Sequence, residues 1–186
     1  MEYKLKIPKI ETREEGAEHL LGSIEKLRGQ VLNPSGDWSK YLPIFEAQNR
    51  GFETKACAVF SSHNAIETLL KFKGVEANYS DRYLAIVGNV DPKEGSDPHA
   101  ICECIRKTSG CLDEGQLPFS EDIRTLSQFY SPKPMTSELL YKGNEWYNTF
   151  GFAHEWIWIG GSPSYKKTQL KDGNIFIFKK LKSTGS

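Results

Sequence analysis

The 186-residue chain has no long apolar run, no excess of either charge and few cysteines. No stretch approaches the ~20 apolar residues of a membrane span. The opening MEYKLKIPKIETREEG is charged from its second residue, unlike the apolar core of a signal peptide. A cytoplasmic location, away from membranes, is therefore expected. Lysine plus arginine equals aspartate plus glutamate at 24 each. With no block of single sign, nothing argues for nucleic acid or an anionic membrane surface as a partner. Four cysteines, at 57, 102, 104 and 111, are too few and too clustered for a secreted disulfide framework and read as reduced thiols.

What is present is enough for a core. A length of 186 residues with 38% hydrophobic content fits one domain, or one and a fraction, that folds without disulfides. Residues 1–47 mix an extended KLKIP, a weak helical stretch around EEGAEHLLGSIEKLRG and a turn-rich NPSGDWSKYLP. From Thr54 the pattern turns helical. Ala56, Val59, Phe60, Ile66 and Leu70 share a face, Thr54 can cap the first turn and Gly74 can end the helix. A second helix is expected at DRYLAIVG with Ser80 as its cap. A third opens at Asp97-Pro98 and runs to Gly110. After QLPFSEDI the proline-rich SPKPMTSE leads to FGFAHEWIWIGG, whose aromatics on even positions and isoleucines on odd ones predict a strand buried on both faces. An Asp-Gly turn and short strand, DGNIFIFKK, follow.

Cys57 stands in the first turn of the first helix, where the helix dipole and Lys55 favour the thiolate, the nucleophilic form. A free cysteine is equally at home as inert packing. The residues around it resemble the active-site helix of papain-family cysteine peptidases, in which the nucleophile is followed by a Phe-Ser pair and then Ala, an aliphatic residue and Glu. Here these are Phe60, Ser61, Ala65, Ile66 and Glu67. YSDRYLAIVGN is similar to the family's Ser-x-x-x-Leu segment, and HAICECIRKTSGCLDEGQLPF to its next helix, so the likeness spans about residues 37–125. Thr54-Lys55-Ala56-Cys57-Ala58 departs from the family's usual Cys-Gly-Ser-Cys-Trp. Gly51 stands where the family has its oxyanion glutamine, and Gln48 lies three residues earlier.

The resemblance implies an α+β, papain-like fold. A helical N-terminal half, residues 1–130, would carry the nucleophile, and residues 131–186 would supply a linker and a partial β-rich C-terminal half. It implies peptide-bond hydrolysis through a thiolate acyl-enzyme, with a peptide or protein as substrate, Cys57 as nucleophile and Gln48 as oxyanion donor. The family's histidine lies ~130–150 residues after its cysteine, about where this chain ends, so a truncated peptidase is expected. Of the four histidines, His19 reads as surface, His63 falls on another face of the helix from Cys57, and His99 reads as a solvated helix start. His154 begins an apolar strand ending in glycine, as the family's catalytic histidine does. It is either the base or a histidine of an aromatic strand.

Two further readings stay open. One is a non-catalytic, peptidase-derived interaction module, with a partner chain covering an incomplete β domain. The other is a different papain-superfamily thiol hydrolase or transferase using Cys57 and His154. His99, Cys102, Cys104 and Cys111 form a His-x2-Cys-x-Cys-x6-Cys cluster. Zinc sites usually place paired cysteines two to four residues apart across a turn, whereas Cys102 and Cys104 face different ways on a helix. Packing is expected there, with no metal and no other cofactor.

Overall fold

The computed structural model describes residues 33–150. Helix α1, Cys57–Phe72, is the central element, and its apolar stripe is the expected one: Ala56, Val59, Phe60, Ile66 and Leu70 are all buried. It ends at a glycine because the chain must turn left-handed there. Gly74 has φ +81°, its N–H donates to Lys71 O, and Val75 N–H donates to Leu70 O. These are the two bonds of a Schellman cap.

Helix α2, Asp81–Val87, starts at Ser80, whose hydroxyl accepts the Tyr83 N–H. Helix α3, Pro98–Cys104, starts at Asp97, which accepts the His99 N–H, with Pro98 in the first turn. A π-helical turn, Ile105–Ser109, continues α3 to Gly110. Helix α4, Leu126–Phe129, carries a Thr125/Gln128 capping box, and α5 spans Ser137–Thr149 with Thr136 as its cap. Val59, Tyr83, Leu84, Ile101, Ile105 and Phe129 meet in one core. Upstream of α1, Trp38 and Tyr41 pack against Phe72, with ring centroids 5.2 Å and 5.0 Å away. The turn-rich segment is thereby fastened to the far end of α1.

The α+β expectation is corrected. The described residues are 49% helical with 5% in bridges and no sheet. The bridges are the isolated pairs Asn49–Glu53, Tyr79–Asp113 and Asp91–Gly95. The first part of the segment expected to lead into a β-rich half is instead helical. In α5, Thr136 accepts the Leu139 N–H, Glu138 stands in the first turn, and the Lys142 ammonium lies 2.8 Å from the Glu138 carboxylate. These are local supports for a helix that the prolines before it do not oppose. Apart from Phe150, the expected strand FGFAHEWIWIGG lies outside the described residues, as do DGNIFIFKK and residues 1–32. Among the described residues no helix is long and apolar enough to cross a membrane.

Helix α5 docks through glycine. A methyl group on Gly143 would stand 2.1 Å from the Tyr83 hydroxyl and 2.5 Å from Ser109 O, and one on Gly110 would stand 1.9 Å from Gly143 O. Tyr83 in turn donates to Ser109 O at 3.0 Å. Backbones of α5 and the π-helical turn therefore touch directly, and Gly110, at φ +58°, also needs its left-handed conformation. Gly143→Ala should destabilise the protein by ~1–3 kcal/mol, the usual cost of overpacking. The urea midpoint measures it, and a midpoint equal to wild type would refute this close approach.

Candidate functional site

The chain entering α1 is held from three sides. Thr54 is fully buried, and its carbonyl accepts the Tyr130 hydroxyl at 2.7 Å. Lys55 adopts a left-handed backbone, φ +61°, which costs a non-glycine residue of order 1 kcal/mol or more. Its carbonyl oxygen lies against the Asp91–Gly95 turn, where a methyl on Gly95 would come within 3.1 Å of it. Its N–H donates to Glu53 Oε1 at 3.1 Å. Ala56 follows as N-cap, and Cys57, half-buried, is the first helical residue.

Thr54 does not cap the helix as expected. Its hydroxyl accepts the Ala56 N–H at 3.3 Å, and the N-cap position makes no side-chain bond. The first turn also contains no acidic side chain, so the positive end of the helix dipole at Cys57 is not neutralised there.

Gln48 is tied to the same place. Its Nε2 donates to Glu53 Oε1 at 2.8 Å, the oxygen that also accepts Lys55 N–H. An amide nitrogen has two protons, so this bond orients Gln48 and leaves its second N–H for another acceptor. One carboxylate thus joins Gln48 to the backbone two positions before Cys57. His154 lies outside the described residues.

Behind this entry, α1 turns ionisable groups inward. His63, on the face away from the cysteine, is buried with Nδ1 2.8 Å from Asp81 Oδ1. Among the described residues its Nε2 has no partner. Burial holds the imidazole well down, to about 4, so it is neutral. Burial also pushes Asp81 well above its ordinary carboxylate value, and the negative charge of Glu46 adds to this. Glu67, one turn on, accepts the Tyr79 N–H at 2.7 Å and is raised by burial to about 7.

Tyr79 lies between His63 and Trp146, with ring centroids 5.8 Å and 5.7 Å away, and its hydroxyl accepts the Trp146 indole N–H at 2.7 Å. Glu114 accepts the Phe119 N–H at 2.8 Å and is likewise raised by burial to about 7. These groups link α1, α2, α5 and the 113–119 loop.

The cysteines of the expected packing cluster have separate surroundings. Cys102 is buried, with its sulfur 3.7 Å from Ser62 Oγ, and burial pushes its thiol to about 12. Cys111 is buried and pushed up for the same reason. Cys104 is half-buried beside Ser109 Oγ, 3.4 Å away. Among the described residues no three His, Cys, Asp or Glu side chains are placed to hold a metal ion.

Sequence reasoning missed Glu53, Tyr130 and the buried carboxyls. Only Glu67 carried a signal, as part of the family-like helix. No family model, curated protein or solved structure matches the chain.

The buried carboxyls set a sign for the pH dependence of stability. Glu67 ionises at about 7 when folded against an ordinary 4.5, so between those values the folded chain keeps a proton that the unfolded chain releases. Its contribution is complete below 4.5 and is lost as pH rises through 7. His63, depressed from 6.5 to about 4, acts oppositely but only below 6.5. From about pH 6.5 to 8.5 the carboxyls dominate, and the wild-type urea midpoint should fall. Glu67→Gln keeps an acceptor for Tyr79 N–H and should fall less; an equal fall would contradict the assignment.

Proposed function

We propose that the protein is a cysteine-type peptidase that hydrolyses peptide or protein substrates through a thioester on Cys57, as the family-like helix implies. Cys57 Sγ attacks the peptide carbonyl carbon. A C–S bond forms, and the tetrahedral oxyanion accepts hydrogen bonds from the Cys57 backbone N–H and from Gln48. The C–N bond then breaks as the amine leaves with a proton from a histidine, in this reading His154. Water activated by the same histidine cleaves the thioester and restores the thiol.

One observation carries the reading. Glu53 Oε1 holds both the Gln48 amide and the backbone N–H of Lys55, so an oxyanion donor is oriented from the strand of chain that presents the nucleophile. The strained Lys55 backbone and the Tyr130 bond to Thr54 O support it by fixing where α1 begins. Catalytic groups need such fixed placement, because a displacement of ~1 Å can cost on the order of a hundredfold in rate.

The test is alkylation by iodoacetamide below about pH 8, read by peptide mass spectrometry. Cys57 should be modified first, Cys104 later, and the buried Cys102 and Cys111 only on unfolding. A peptidyl electrophile should label Cys57 alone. Gln48→Ala should slow peptide hydrolysis by a factor on the order of 100–1,000 with little change in KM, the cost of losing one oxyanion donor. Cys57 reacting no faster than Cys104 would refute the assignment.

A further inference from the structure

Among the described residues five large apolar side chains are exposed, and three of them fall in one stretch of four: Leu42 at 57%, Ile44 at 75% and Phe45 at 88%. A single exposed apolar residue is ordinary, whereas a run of them on a folded surface marks a place of binding. Residues 42–47 lie outside every helix and bridge. Leu42 is extended, at φ −61° and ψ 140°, the conformation favoured by the proline that follows it.

The stretch is tied down on both sides. Before it, Trp38 and Tyr41 pack on Phe72, and the Lys71 ammonium donates to Leu42 O at 3.4 Å. After it, Glu46 Oε1 accepts the Asn78 amide at 3.1 Å. The Arg50 guanidinium donates to Phe119 O and lies 4.5 Å from the centroid of that ring. The fold therefore holds Ile44 and Phe45 out to solvent. The charges beside them are engaged, Glu46 with Asn78 and Lys71 with Leu42 O and, at 3.7 Å, with Glu76. Two observations choose the occupant. A stable dimer uses ~800 Å² on each partner, and the largest of these three side chains offers only ~150–250 Å², so the patch is too small for a second copy. The stretch also runs into the candidate site. Phe45 is three residues, ~11 Å at most, from Gln48. The Gln48 amide meets Glu53 Oε1, which accepts the Lys55 N–H two positions before Cys57. Along that path Phe45 and Cys57 are no more than ~30 Å apart, the span of about nine extended residues. A peptide has these dimensions.

We propose that residues 42–47 are an exosite for the substrate: an extended polypeptide segment lies along them with apolar side chains against Ile44 and Phe45, while its scissile bond sits at Cys57. The link to Cys57 rests on the peptidase reading; peptide binding by residues 42–47 does not. The substrates selected are unfolded or extended chains with apolar residues up to about nine positions from the cleaved bond. A short peptide that covers Cys57 alone gains nothing from this surface.

Fluorescence anisotropy with Cys57→Ala, which cannot turn substrate over, tests the exosite. The probes are labelled peptides of about twelve residues with Leu-Ile-Phe at the N-terminal end, at the C-terminal end, or replaced by serines. One of the apolar peptides should bind about tenfold or more tighter than the serine peptide. Adding Ile44→Ser and Phe45→Ser should remove that preference and leave the urea midpoint unchanged, because both side chains are exposed. In the wild type, the tighter peptide at saturation should slow iodoacetamide alkylation of Cys57 and leave that of Cys104 as it was. Equal binding of apolar and serine peptides, or a preference that survives the double substitution, would overturn the exosite. So would a bound peptide that leaves Cys57 alkylation unslowed, or sedimentation showing a dimer that the double substitution dissolves. A Cys57 unreactive without peptide would overturn the peptidase reading, and the anisotropy would still decide peptide binding at 42–47.

Discussion

Helix α1 turns two ionisable residues, His63 and Glu67, toward the same interior as its apolar stripe, and burying them as charges would cost several kcal/mol each. The fold instead shifts both toward their neutral forms and gives them hydrogen bonds: Asp81 for the imidazole and the Tyr79 backbone for the carboxyl. Those partners lie in and just before α2, so the need to satisfy α1 dictates where α2 begins and how it lies. Tyr79 passes the constraint on to α5 through Trp146. A hydrophobic helix pair could slide or rotate with modest loss. A pair joined by buried polar contacts cannot, because any other register leaves a donor or acceptor without a partner.

The same logic explains the two ends of α1. At its C-terminus the orphan carbonyls are met by backbone N–H groups at Gly74 and Val75. At its N-terminus no side chain caps the first turn. Polar satisfaction there goes to the residues before the helix, Glu53, Thr54 and Lys55, which are bonded to other parts of the chain. Cys57 is thus half-buried at an uncapped helix end on a rigidly held approach, whereas Cys102 is enclosed beside Ser62.

Local chemistry made much of the helical half readable. Ser80 and Asp97-Pro98 are caps that act within three residues of themselves, and the α1 stripe is a repeat within one element; all three stand where the sequence puts them. Helix α5 was not readable, because the proline-rich SPKPMTSE just before it reads as a lead into a strand and the glycine at 143 weakens the helical pattern. Its glycine is needed for contact with Gly110, a residue 33 positions away in sequence. The buried cluster was hidden for the same reason. His63 meets Asp81 and Glu46 meets Asn78 across 18 and 32 positions, and nothing within a short window marks such pairs. Gln48 was legible as an amide upstream of the cysteine, whereas Glu53, which orients it, reads in isolation as an ordinary loop acid.

The contact between Gly110 and Gly143 works as a key in a slot. Only where two residues without side chains coincide can α5 lie this close to the π-helical turn. A shift of one position would bring Lys142 or Asn144 over Gly110, and their β-carbons would not fit. Helix α5 therefore has one axial position available to it. With that position set, the point where the chain leaves the helix at Phe150, its ring 5.6 Å from that of Trp146, is set as well. A pair of glycines thus works as a surveyor's mark, from which the last turn of the helix takes its position.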